Sequence, residues 1–147
     1  MNKYKEIAIA KFNEGFNCSQ SVLFPFANMF NLNEETALKI SCGFGAGMGR
    51  QQETCGAVTA AYMLIGLKYG KSRSDEEELK EKTYLKVCEF TKKFCQKHKT
   101  IKCSELLVGC DFVSLEGKKR FKNESLKEKV CVLCVGDSVD ILKEILN

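Results

Sequence analysis

A chain of 147 residues is long enough to bury a hydrophobic core in one domain, so its nine cysteines are not needed as a disulfide frame. The net charge of +4 comes from 23 basic and 19 acidic residues that largely interleave, which describes a solvated surface and excludes an extended nucleic-acid footprint. The longest apolar run, Gly56 to Leu67, is well short of the roughly 20 residues of a membrane span and carries Thr59 and Tyr62, so no membrane partner is expected.

Tyr4, Ile7, Ala8 and Phe12 recur at helical spacing, which predicts a first amphipathic helix over residues 3–14, closed by Gly15. Asn17 then caps a second helix whose first residue is Cys18. That helix runs to about Phe30, with Val22, Phe26 and Met29 inward and a kink at Pro25, the only proline. Asn33 before Glu34 and Glu35 predicts a short third helix, which ends in a glycine-rich loop. Residues 55–69 read as a central helix. Its small residues, at 56, 57, 60, 61 and 66, let neighbours approach closely, so it is expected to be the most buried element. Ser74 and Glu77 form a capping-box pattern that opens the longest helix, Asp75 to about His98, with Leu79, Thr83, Val87, Phe90 and Phe94 on its core face. Cys88 and Cys95 flank that stripe and read as packing residues.

Beyond Lys99, residues 103–109 predict one short helical turn stopped by Gly109, and residues 114–123 a polar loop. Lys118, Lys119, Arg120 and Lys122 form a solvated basic cluster there. Helical period resumes from Val130 to Leu146, with Val132, Val135, Val139, Leu142 and Leu146 available for the core. No segment alternates as a strand, so the prediction is an all-α, single-domain bundle over residues 1–147. The odd cysteine number and a leading segment without a secretory pattern place the chain in the cytoplasm with reduced thiols.

Chemistry concentrates where the loop Gly43 to Gly49 hands over to the central helix at Cys55. Glycines there permit positive φ and close backbone approach, and a helix start offers free N–H groups that lower a thiol pKa. Gly45, Gly47, Gly49 and Arg50 are accordingly the cofactor-binding candidates. The alternative is a tight turn with Cys55 as a small core residue. Cys18, Cys55, Cys103, Cys110, Cys131 and Cys134 all fall at helix starts or in turns, a distribution that packing alone does not favour. Cys131 and Cys134 form a C-x-x-C pair, and a further pair at Cys103 and Cys110 would make four thiolates, a set that suits zinc or an iron–sulfur cluster. The spacing matches neither a zinc ribbon nor a ferredoxin run. His98, the only histidine, sits in a lysine-rich helix end and offers little for a cysteine–histidine hydrolase. The loop reads G-x-G-x-G-x-G without a following Gly-Lys-Ser/Thr or a preceding strand, so it is neither a P-loop nor a dinucleotide fingerprint.

Asn17-Cys18-Ser19-Gln20-Ser21-Val22, Gly43 to Arg50, Glu53-Thr54-Cys55-Gly56-Ala57-Val58-Thr59, Gly66 to Gly70 and Cys103-x-x-Leu106-Leu107 resemble the C_GCAxxG_C_C family of redox-active proteins and selenoproteins. The resemblance runs nearly end to end. It implies a bacterial or archaeal redox protein related to a domain found with iron–sulfur and haem centres in split-Soret cytochromes. It also implies that the family's spaced cysteines are Cys18, Cys55, Cys103 and Cys131, with Cys110 as a further candidate. This chain departs from the motif at Thr54 and Ala60, and it lacks the Cys-x-x-Cys-His of c-type haem attachment, so haem is not implied.

The reading that results is a cytoplasmic protein in which Cys55, Cys18, Cys103 and Cys131 are catalytic. Cys110 and Cys134 join these four in any metal set. All would converge at one end of the bundle for electron or thiol–disulfide exchange with an unidentified redox partner. A homodimer is compatible with this reading. The rival reading is a non-catalytic helical binding module held by structural zinc.

Overall fold

A computed structural model describes residues 2–147 of the chain. Helix α1, Lys3–Glu14, starts where the Asn2 side chain accepts from the Lys5 N–H at 2.7 Å, and it stops at Gly15, whose φ of 118° only glycine adopts readily. Helix α2, Cys18–Leu23, opens on a reciprocal cap. The Gln20 N–H donates to Asn17 Oδ1 at 2.9 Å, and the Asn17 N–H donates to Gln20 Oε1 at 3.0 Å. At Pro25 the chain changes from α to 3₁₀ winding over Phe24–Phe30. Val22 and Phe26 are buried as expected, but Met29 is 46% exposed. The tighter 3₁₀ winding, three residues per turn, carries it off the α-helical stripe.

Helix α3, Glu34–Cys42, is capped by Asn33. After it comes α4, Gly45–Met48, a single turn whose interior is left-handed. Helix α5, Gly56–Tyr69, lies at the centre, packed against α2 and against α6, Glu77–His98, and α9, Val132–Ile145. Its residues from Gly56 to Ala61 are all buried, and its Gly and Ala positions allow that close approach.

The expected Ser74 cap does not form, and α6 begins at Glu77 rather than Asp75. Lys71 and Lys80 hold the Glu77 carboxylate at 2.7 and 2.6 Å, which draws it away from a back-cap, while Glu76 accepts from the N–H groups of Ser72 and Arg73. Phe90 and Phe94 are fully buried, but Leu79 in the first turn of α6 and Cys88 at its middle are exposed. Packing therefore does not account for Cys88.

Helix α7, Cys103–Leu106, is one turn that ends before the left-handed Val108 and Gly109. The segment read as a loop is instead helix α8, Leu115–Asn123, capped by Ser114, whose hydroxyl accepts from the Gly117 N–H at 3.0 Å. The low apolar content of this stretch hides the helix from a periodicity reading. A π turn over Lys127–Cys131 leads into α9. Among the described residues no strand forms, and only an isolated bridge joins Thr54 and Lys102. No helix among them is long and apolar enough to cross a membrane. The main core lies among α1, α2, α5, α6 and α9. A smaller cluster of Cys103, Leu107, Cys110 and Leu126, with Phe112, Phe121 and Cys131 packed on it, lies beside that core.

Candidate functional site

Five consecutive residues, Ala46 to Arg50, have φ between 55° and 71° and form a left-handed turn. Each non-glycine residue in that conformation costs about 1–2 kcal/mol, and Ala46, Met48 and Arg50 all carry a Cβ. Hydrogen bonds from the Gly49 N–H to the Gly45 carbonyl at 2.8 Å and from the Glu53 N–H to the Gly47 carbonyl at 2.9 Å hold the turn together. Two glycines are sterically required. A Cβ at Gly45 would overlap the Asn17 side chain, and one at Gly47 would lie 2.7 Å from Cys103 Cβ.

The strained turn places Ala46, and the start of α5 places Gly56, beside the Cys18 thiol, where their backbone N–H groups favour its thiolate. The residues after the turn run against α7 and the segment before it. The Cys55 N–H donates to the Ile101 carbonyl at 2.8 Å, the Cys103 N–H to the Glu53 carbonyl at 2.6 Å, and the Ser104 N–H to the Gln52 carbonyl at 3.1 Å. This pairing brings Cys103 to the loop that ends at Cys55. Gln52 extends it, its amide donating to the Cys110 carbonyl at 2.7 Å and accepting from the Phe112 N–H at 3.0 Å.

Cys18, Cys55, Cys103, Cys131 and Cys134 line one enclosed cavity of about 40 Å³, whose other walls include Leu106, Leu107, Phe112 and Val130. Outside it lies an open pocket of about 330 Å³ lined by Phe12, Asn17, Arg50, Lys118 and Phe121. Cys18, Ala46, Phe112 and Cys131 border both spaces and form the partition between them. Cys55 lies between two other thiols. Its interaction with Cys134, together with burial, pushes it well above the ordinary thiol range, against the opposing effect of Cys18. The lowered pKa expected for Cys55 at a helix start is therefore corrected: burial and the facing Cys134 thiol outweigh the Ala57 N–H that favours its thiolate. Cys18 is pushed well above the ordinary thiol range by Cys55 and by burial, against the smaller opposing effect of the Ala46 and Gly56 N–H groups. Burial and Cys18 push both Cys103 and Cys131 up to about 12, Cys131 with a further contribution from Cys103.

Cys110 stands apart from this cavity and donates to the Gly117 carbonyl at 3.2 Å. Gly47 borders the inner cavity and Arg50 the outer pocket, whereas Gly45 and Gly49 shape the turn. Among the described residues, no three His, Cys, Asp or Glu side chains form a group that could hold one metal ion. Sequence reasoning missed Gln52 and Phe112, which carry no motif. It also set aside His98, whose Nδ1 lies 3.9 Å from the Cys134 sulfur while Nε2 meets Asp137 at 2.9 Å.

Fold and site together define an all-α protein with a thiol-lined cavity behind a left-handed glycine turn. Over residues 16–145 the chain matches the family model described as "Putative redox-active protein (C_GCAxxG_C_C)", and it belongs to that family. No curated protein and no solved structure matches it.

Proposed function

We propose that the protein is a dithiol–disulfide exchanger in which Cys18 attacks and Cys55 resolves. The observation that carries this reading is the place of Cys18, beside Cys55 and against the backbone of Ala46 and Gly56, on the wall between the inner cavity and the outer pocket. Backbone N–H groups beside a sulfur favour its thiolate as it forms, much as an oxyanion hole stabilises developing charge.

The exchange balances as follows. The Cys18 thiolate bonds to one sulfur of a substrate disulfide, and the other leaves as a thiolate that takes a proton. Cys55 loses its proton and attacks the Cys18 sulfur, which releases the second substrate thiol and leaves a Cys18–Cys55 disulfide. Two protein thiols are oxidised and one substrate disulfide is reduced. A dithiol reductant restores the starting state, and the reverse direction makes the chain an oxidant of dithiols. Cys103 and Cys131, held protonated, and the buried Cys134 keep the surroundings apolar.

The test is trapping. A Cys55→Ser variant treated with a small disulfide should stop at a stable mixed disulfide on Cys18, seen by mass spectrometry of peptides. A Cys18→Ser variant should form neither that adduct nor an internal disulfide to Cys55. Oxidation of the Cys18→Ser variant at the wild-type rate would overturn the assignment.

A further inference from the structure

The open pocket in front of Cys18 has a composition that the exchange chemistry alone does not explain. Three aromatic rings, Phe12, Phe112 and Phe121, form its apolar walls, with Phe112 and Phe121 edge to face at 5.2 Å. Its charged lining residues are Arg50 and Lys118, both basic. Among the described residues neither takes part in an ion pair. Lys127 adds a third cation near the rim, 5.2 Å from the Phe12 ring. Asp111, whose charged form Lys118 helps to favour, turns its carboxylate to the N–H groups of Val113 and Ser114 at 2.7 and 3.4 Å rather than to a cation. Arg50 is the last residue of the strained left-handed turn, so the backbone that borders the pocket beside Cys18 at Ala46 also sets the position of this cation.

We infer that this pocket binds a low-molecular-weight anionic disulfide, or its thiol product, with the acidic group between Arg50 and Lys118 and an apolar or aromatic part against the phenylalanines. The inference rests on the exchange reading for its reactive atom. A volume of about 330 Å³ suits a small molecule rather than a protein segment. Unpaired cations beside aromatic walls select an acidic group by charge while the rings take up apolar surface. The reaction is the exchange already described: the Cys18 sulfur bonds to one ligand sulfur, the ligand S–S bond breaks, and the departing thiolate leaves with the electron pair.

The test uses two probes of similar size, the anionic aromatic disulfide 5,5′-dithiobis(2-nitrobenzoate) and the neutral aromatic disulfide 4,4′-dithiodipyridine. Both react with reduced full-length protein in which the exposed Cys42 and Cys88 are replaced by serine. In Arg50→Gln and Lys118→Gln variants the ratio of anionic to neutral rates should fall about tenfold at low ionic strength, and the difference should shrink in high salt. An unchanged ratio, or equal slowing with both probes, overturns the pocket. A Cys18→Ser control separates this failure from that of the exchange reading. If the charge-sensitive phase vanishes with Cys18, the inference stands. If it survives, Cys18 is not the attacking thiol. If the phase that vanishes has no charge sensitivity, the anionic ligand is wrong while Cys18 keeps its role.

Discussion

A Cβ at Gly56 would fall on the sulfur of Cys18 and lie 2.9 Å from the Phe44 carbonyl oxygen. The first residue of the central helix therefore lacks a side chain so that the first thiol of α2 can reach its N–H. Gly56→Ala should lower stability by about 1–3 kcal/mol through overpacking. It should also slow alkylation of Cys18 by pushing the sulfur away from both backbone donors. Chemical denaturation and peptide-level alkylation rates read the two effects separately. An alanine tolerated with unchanged Cys18 reactivity would remove the argument for a thiolate-binding pair of N–H groups.

Burial orders the thiols by accessibility. Cys42 and Cys88 are exposed, Cys18, Cys95 and Cys131 are half-buried, and Cys55, Cys103, Cys110 and Cys134 are buried. Iodoacetamide should label Cys42 and Cys88 first and the half-buried thiols later, with the buried four protected until the chain unfolds. The lowered pKa expected for Cys55 from its helix-start position gives it no lead once burial is known. Mass spectrometry of a labelling time course checks the order, and early modification of Cys55 would contradict it.

The thiol pKa values predict a stability limit in alkali. Cys103 and Cys131 are pushed from the ordinary 9.0 up to about 12 in the folded chain. Between those values the unfolded chain releases protons that the folded chain keeps, so stability falls as pH rises through that window and gains nothing from these groups below it. Cys18 and Cys55 act in the same direction. Urea midpoints measured from neutral pH to about pH 11 should decline, and Cys131→Ser should flatten the decline. The same slope in both proteins would mean that these thiols do not set it.

Much of the fold was legible because it rests on local signals. Asn17 and Asn33 cap helices, Gly15 ends one, Pro25 changes the winding, and the small residues of α5 mark the buried centre. Residues 114–123 were misread because α8 buries only Gly117 and has little apolar period to show. The Ser74 cap failed because Glu77 answers to two lysines instead. The site was only partly legible. Cysteines at helix starts mark where thiols sit along the chain, but the pairing of residues 52–55 with 101–104 decides which of them meet, and backbone pairing across so many residues leaves no sequence pattern. Cys110 has the same local context as its neighbours and turns to Gly117.

His98 shows the same gap between local context and environment. Its surroundings in sequence are lysines, yet its ring packs on Phe94 with centroids 4.6 Å apart, meets Asp137 at 2.9 Å and faces the Cys134 sulfur. Asp137 is also 3.6 Å from Lys97, so removing the imidazole leaves the carboxylate a weaker partner rather than none. His98→Ala should destabilise by about 1–3 kcal/mol from lost ring packing and the lost hydrogen bond. The part due to the pair appears in a double-mutant cycle with Asp137→Ala, where a coupling of about 0.5 kcal/mol or more is expected for groups in direct contact. Simple additivity of the two substitutions would reduce the histidine to a packing residue and detach Asp137 from it.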